Sequence, residues 1–241
     1  MDKHPAQPDL LAPAPAHAAG SDGHRGRMRS RLLAAGPDAV ADYELLEMVL
    51  FLGLPRRDTK PIARALLARF GSFAAAIAAA PNELRAVEGM GEAGTAALKI
   101  VQAAALRLAR AEVKDRPILA NWDRLIAYLT AAMAREPVEQ FRVLYLDTRN
   151  RLLADEAQSR GTVNHTPVYP REVVRRALEL QATAILLVHN HPSGDPSPSR
   201  DDIEMTREVA RAAAALEIVL HDHIIVGNGA HLSFRQQGLL R

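Results

Sequence analysis

Ala184-Ile185-Leu186-Leu187-Val188-His189-Asn190-His191-Pro192-Ser193-Gly194, continued by Asp195-Pro196-Ser197-Pro198-Ser199-Arg200-Asp201-Asp202, is the stretch that decides how this chain folds. The apolar run from Ala184 to Val188, bounded by turn formers, reads as a buried strand. Residues i and i+2 of a strand point to the same side, so His189 and His191 present two imidazoles into one space. Pro, Gly and Ser then reverse the chain. Ser199 opens a helical pattern with Ile203, Val209 and Ala210 as apolar markers, and Asp202 falls in its first turn. Two His and one Asp gathered by a strand, a turn and a helix start make three N/O donors. A catalytic zinc site has that form, with a fourth position left for water. Ser199 and Asp202 also fit a helix cap, with a hydroxyl at the N-cap and an acid three residues on. The two readings are compatible, because a cap orients the acid.

Outward from this stretch, the C-terminal half alternates strands and helices. Glu139 to Asp147 reads as a strand with Phe141, Val143 and Tyr145 on one face. Asp147 to Asn150 forms a turn, and Arg151 to Ser159 is the hairpin partner. Residues 161–168 read as a further extended piece, and Pro170 starts a helix carrying Val173, Val174, Ala177 and Leu178. Beyond the Arg200–Leu216 helix, Ile218 to Val226 and His231 to Phe234 are strands joined at Gly227-Asn228-Gly229, a tight-turn signal. Before this half, Asn121 precedes a helix with Trp122, Leu125, Ile126, Leu129 and Met133 that Pro137 ends. The fold class is therefore α/β: a helical N-terminal domain followed by a mixed sheet with helices packed on it.

The N-terminal domain reads as short helices set by start, stop and breaker signals. Asp38 or Asp42 heads one with Leu45, Leu46, Val49 and Leu50. Asp58 or Thr59 precedes a second that Gly71 ends, and Ser72 starts a third. Pro81 and Asn82 begin a fourth. Glu88-Gly89-Met90-Gly91 leads into a long helix from about Gly94 to Arg110. Residues 1–24 carry four prolines among Ala, His, Asp and Gly and predict a disordered tail. His24 to Arg31 is a basic run that reads as a solvated face. The expected divisions are a tail at 1–24, a helical domain at 25–111, a charged linker at 112–118 and a sheet domain at 119–241.

Composition narrows the function classes. The chain has 241 residues, 48% hydrophobic and 4% aromatic, with no Cys and a formal net charge of +2. Without Cys there are no disulfides, thiolate metal sites or Cys nucleophiles, and a cytoplasmic location is the simpler expectation. The near balance of charge does not by itself argue for nucleic acid. No apolar run approaches the roughly 18 residues of a membrane span, and none has the form of a signal-peptide core, so no membrane partner is expected.

His-x-His, seven residues, Ser, two residues, Asp resembles the JAMM motif of the MPN/JAB metallopeptidase domain. The wording His189-Asn190-His191-Pro192-Ser193-Gly194 with Pro198-Ser199-Arg200-Asp201-Asp202 is specifically similar to the bacterial RadC proteins. The segment Leu84 to Val101, with Gly89-Met90-Gly91, resembles a helix-hairpin-helix, so the resemblance covers nearly all of the chain beyond the tail. It implies an MPN/JAB-type, cytidine-deaminase-like sheet domain that binds one zinc ion per chain through His189, His191 and Asp202. It also implies hydrolysis of a peptide or isopeptide bond. The family's base is a Glu on an early strand, and Glu139 matches that position best, with Glu156 and Glu172 as substitutes. Ser199 matches the family Ser that supports the oxyanion. N/O donor sets of this kind also accept manganese or iron.

Other readings compete. Hairpin N–H groups at Gly89 and Gly91, helped by Lys99, can hold a phosphate without reading bases, so a DNA-associated factor or nuclease is the alternative. Glu92, directly after the hairpin, works against it, and Arg107 and Arg110 can compensate. A scaffold protein is a third reading, which the intact ligand set opposes. No His-Glu-x-x-His occurs, and the Cys ligands of a nucleobase deaminase are absent. His221-Asp222-His223 is a second His-x-His without a Pro/Gly loop or a downstream Asp. It reads as core, or as a group that orients a ligand. His165 and His231 read as structural.

Overall fold

The computed structural model describes residues 21–114, 117–160 and 168–240. They group into two compact units, one within residues 1–76 and 81–98, the other within 77–80 and 99–241.

The first unit is helical. Its elements are α1 (Ser21–Ala35), α2 (Asp42–Gly53), α3 (Lys60–Phe70), most of α4 (Phe73–Ala78), α5 (Pro81–Arg85) and the start of α6 (Gly91–Lys114). Apolar residues three and four apart supply the core: Leu46 and Leu50 from α2, Ile62 and Leu66 from α3, then Leu84, Met90 and Leu98, all buried. Gly71 closes α3 at φ +84°, a left-handed cap that Gly adopts without a Cβ clash. Ala41 is the N-cap of α2, and Glu44 reaches back to its N–H. Asp42, expected as a possible cap, instead accepts from the Phe73 N–H and ties α2 to α4.

Two boundaries differ from the sequence reading. Residues 21–24, expected as tail, form the first turn of α1, while the rest of that tail lies outside the described residues. Gly23 and Gly26 mimic breakers, but Met28 and Arg25 bury themselves and hold the helix. The helix expected from about Gly94 to Arg110 begins at Gly91 and runs to Lys114, into the expected 112–118 linker. Nothing between Arg110 and Lys114 stops a helix, and Glu112 lies 3.6 Å from Arg124. A 3-10 turn follows at Ile118–Asn121.

The second unit is a five-stranded mixed sheet in the order β2-β1-β3-β4-β5. The strands are β1 (Gln140–Leu146), β2 (Leu152–Arg160), β3 (Ala184–Asn190), β4 (Val219–Val226) and β5 (His231–Ser233). β3 and β4 are parallel, and the other neighbouring pairs are antiparallel. One face packs on α7 (Trp122–Met133), with Leu125, Tyr128 and Leu129 against Leu144, Leu186 and Ile224. The other face packs on α8 (Pro170–Glu179) and α9 (Arg200–Ala214), with Val173, Val209 and Ala213 against Val143, Tyr145 and Leu187. β3 is buried along its whole length, which is why its sequence is continuously apolar. Asn121 sits at the start of α7 without a side-chain cap bond. Among the described residues, no helix is long and apolar enough to cross a membrane. Nearly all of the extended piece expected at 161–168 lies outside the described residues.

Two features position the site. β3, α9 and β4 form a strand-helix-strand unit, and its loop leaves the carboxyl end of β3, where ligand crevices of α/β sheets lie. The β3–β4 register also shifts between Ile185/Leu220 and Leu186/Asp222, so His221 is an extra residue. This bulge changes the parity of β4 and brings His223 onto the α9 face of the sheet.

Candidate metal centre

His189, next to last in β3, is fully buried, and His191 follows half-buried in the first residue of the loop. The two Nε2 atoms lie 2.9 Å apart. Asp202 Oδ1 is 3.3 Å from His189 Nε2, and Oδ2 is 3.7 Å from His191 Nε2. Zinc bonds of about 2.0–2.1 Å in a tetrahedron put neighbouring donor atoms about 3.3 Å apart. The His–His edge is shorter than that value and each imidazole has a different Asp202 oxygen near it, with one donor atom from each residue within 4.8 Å of the others, so the donor set can close on one ion. It is also the one group of three or more His, Cys, Asp or Glu among the described residues with such spacing.

The hydrogen-bond network fixes which nitrogen of each ring is free. His191 Nδ1 lies 2.8 Å from the Asp195 carbonyl, which only accepts, so Nδ1 carries the proton and Nε2 keeps its lone pair. Thr206 donates its hydroxyl proton to the Asp202 carbonyl at 2.6 Å, so it accepts from His223 Nδ1 at 2.6 Å. His223 Nε2 is then bare and accepts from His189 Nδ1 at 2.8 Å. His189 Nε2 is left with its lone pair facing the group. Two lone pairs 2.9 Å apart repel unless a cation or a proton lies between them. A ligating His whose other nitrogen is held in this way is oriented and made more basic.

Asp202 is set by its helix. Ser199 N–H donates to Oδ2 at 2.8 Å and Ser199 Oγ donates to it at 2.6 Å, while the Asp202 N–H returns a bond to Ser199 Oγ at 3.1 Å. The expected cap is therefore present, and the Ser199 hydroxyl proton is engaged by the carboxylate. The titration of these groups follows their surroundings. Burial pushes His189 down to about 4. Burial likewise holds His223 well below the ordinary imidazole value. The Asp202 carboxylate beside His191 raises that ring, against burial, and the charge of Glu139 adds to the rise. For Asp202 burial acts upward, but contacts with His191, His189 and Ser199 outweigh it and hold the carboxyl below its usual range.

Glu139 immediately precedes β1, half-buried, close enough for its charge to act on His191. Its substitutes are elsewhere: Glu156 is paired with Arg176 and Glu172 with Arg175. The backbone around Glu139 is held by Asn190, the residue between the two His. Asn190 is fully buried on the opposite side of β3. Its Oδ1 accepts from the Gln140 N–H at 2.9 Å, and its Nδ2 donates to the Glu136 and Val138 carbonyls at 3.3 and 3.2 Å. Sequence reading missed Asn190 and Thr206. A polar residue inside an apolar strand was the available signal for the first, since a buried amide must find partners.

The remaining site residues fall as follows. Gly89 and Gly91 form a tight turn between α5 and α6 at φ +85° and +54°, with Met90 buried between them. Lys99 is not at that turn: its ammonium donates to the Ile77 carbonyl at 3.1 Å and to Gln102 at 2.9 Å. The spacing alone did not show this, because both acceptors lie on other turns of the chain. His221 is set apart from His223 by the bulge and pairs with Asn150 Oδ1 at 2.6 Å. Asp222 is buried and accepts from the N–H groups of His223 and Arg235, which pins β4 to the residues after β5. His165 lies outside the described residues.

The comparisons with known proteins agree with this architecture. Residues 119–239 match the RadC-like JAB domain, and residues 24–96 match the UPF0758 N-terminal domain. A UPF0758 protein of Rhodobacter capsulatus is 59% identical over 213 residues, covering 88% of this chain and 100% of the relative. With both domains matched in order and the relative covered end to end, the chain belongs to the RadC (UPF0758) family.

Proposed function

We propose that this chain is a JAMM-type, zinc-dependent hydrolase of peptide or isopeptide bonds, binding one Zn2+ per chain through His189, His191 and Asp202. The observation that supports the reading is the convergence of two Nε2 lone pairs and a carboxylate within 4.8 Å of one another, each held by its own hydrogen-bond partner. A zinc ion there would act as a Lewis acid and lower the pKa of water to near neutrality. Glu139 takes the proton of the attacking water and delivers it to the leaving amine, the work of a positioned carboxylate near His191. Asp202 keeps its charge at neutral pH, because its neighbours hold its pKa low. Ser199 orients Asp202, and its hydroxyl supports an oxyanion once its proton turns away from the carboxylate.

Elemental mass spectrometry on protein purified without a His tag or added metal tests this reading. Wild type, His191→Ala, Asp202→Ala and Glu139→Gln are run side by side, followed by peptide and isopeptide substrates. The expected result is about one zinc per chain, lost in the first two variants and kept in the third, which binds metal but turns over nothing. No zinc in wild type even after reconstitution would overturn it.

A second reading concerns the N-terminal unit alone: DNA contact through the N–H groups of the Gly89–Gly91 turn and the start of α6. The positive φ angles that expose those groups favour it, and Glu92 in the first turn opposes it. Fluorescence anisotropy with duplex DNA, unaffected by Asp202→Ala and weakened by Gly89→Glu, is its expected signature.

A further inference from the structure

The first unit holds a cavity of about 520 Å³ between α1, α2 and the segment leading into α3. Its volume lies within the range of small-molecule sites. Five cationic side chains line it against two carboxylates. Arg25 is fixed: its guanidinium edges donate to the carbonyls of Leu54, Pro55 and Arg57, and one face lies 4.4 Å from the Phe51 ring centre. With its donors used and one face against Phe51, Arg25, which lines the cavity, can meet a ligand there only through its remaining planar face, the kind of surface on which nucleic-acid bases stack. Glu47 is buried, and its Oε1 meets His24 Nε2 at 3.0 Å. Its Oε2 is buried without a hydrogen-bond partner among the described residues, and such an acceptor is destabilising unless a donor reaches it. Arg56, exposed, and Lys60, half-buried, also line the cavity and carry no ion pair among the described residues. Asp58, the second carboxylate, has Oδ1 engaged by the Lys60 N–H at 3.1 Å. Arg57, which lines the cavity, donates to the Gly89 carbonyl at 3.1 Å and so ties the cavity wall to the glycine turn.

A planar cationic platform, a buried acceptor and two lining cations outside any ion pair match one ligand class. We propose that this cavity binds a phosphorylated nucleotide, its base against Arg25 with a base N–H on Glu47 Oε2, and its phosphate on Arg56 and Lys60. The nucleotide is either free or the end of a nucleic-acid strand that continues past the Gly89 turn.

The test is calorimetric titration of the full-length chain at low salt with guanosine 5′-monophosphate, inorganic phosphate and guanosine. Guanosine monophosphate is expected to bind at least tenfold more tightly than either fragment. The double substitution Arg56→Ala/Lys60→Ala should weaken it at least tenfold. Glu47→Gln, which keeps the shape, should weaken the nucleotide at least threefold and leave phosphate unchanged, with thermal melting confirming that each variant folds. A nucleotide that binds no better than phosphate or guanosine, or equally well to the double variant, overturns the proposal. Competition then separates the sources: a 5′-phosphorylated decanucleotide that displaces the mononucleotide at lower concentration assigns a strand end, and failure to displace it assigns the free nucleotide.

Discussion

Thr206→Val is the substitution that most directly probes how the metal group is prepared. It removes one oxygen, keeps the volume and touches no ligand side chain. In the wild type the Thr206 hydroxyl accepts from His223 Nδ1 and donates to the Asp202 carbonyl, both at 2.6 Å. Without it, the His223 Nδ1 proton is buried with no acceptor, a cost of about 1–3 kcal/mol. His223 relieves that cost by moving its proton to Nε2, which then points at His189 Nδ1, 2.8 Å away. His189 must in turn carry its own proton on Nε2, the atom that faces His191 and Asp202. Binding a metal requires that exchange to be reversed, so the same 1–3 kcal/mol appears as lost affinity, about 5- to 150-fold at 1.4 kcal/mol per decade. Partners of ligating histidines elsewhere are worth about 10- to 100-fold, which is consistent. Competition with a chromophoric zinc chelator measures the affinity, and long-range nitrogen–proton correlation spectra read the His189 tautomer. Thr206→Ser should restore both. A Val variant with zinc affinity within twofold of wild type and an unchanged His189 tautomer would refute the chain of inference.

Three further outcomes follow from the same geometry. The metal-free protein should lose stability as pH falls below about 6.5, because burial lowers His189, His223 and His221 in the folded state and the unfolded chain takes up protons first. For His189 the fall from 6.5 to about 4 is worth roughly 3 kcal/mol by pH 4; the raised His191 acts in the opposite sense, and a urea midpoint unchanged between pH 7.5 and 5 would contradict the balance. Gly227→Ala should weaken zinc binding without touching a ligand, since a Cβ there lies 2.2 Å from the Gly194 carbonyl oxygen and pushes the loop whose Asp195 carbonyl holds His191; overpacking of this kind costs about 1–3 kcal/mol, read as a lowered melting temperature beside the lost affinity. Asn190→Ala should retain zinc but release residues 136–140, seen as faster amide exchange at Gln140, whose N–H loses its acceptor; unchanged exchange there would show that Asn190 does not hold the Glu139 segment.

The sequence by itself determined a good deal. Strand parity put His189 and His191 on one side, and the offset from Ser199 to Asp202 delivered a cap that sets the Asp202 carboxylate beside both imidazoles. The apolar run of β3 and the hairpin signals around Asp147 and Gly227 gave the mixed sheet. These are readable because each is a property of one element or of two joined by a short turn, where period and propensity act locally. What the tertiary structure decided joins residues far apart in the chain. Thr206 meets His223, His223 meets His189, and Asn190 reaches back to Gln140, each pair on different elements. The parity of β4 was likewise hidden, because the bulge at His221 arises from its register against β3 and leaves no periodic mark in the sequence. Lys99 shows the same limit in the first half of the chain. Its position beyond a glycine turn suggested a phosphate contact, and the fold gives its ammonium to the Ile77 carbonyl. A side chain's reach is written in its type. Which partner lies within that reach is set only when strands and helices pack, because hydrogen-bond geometry tolerates errors of tenths of an ångström and sequence spacing fixes nothing so fine.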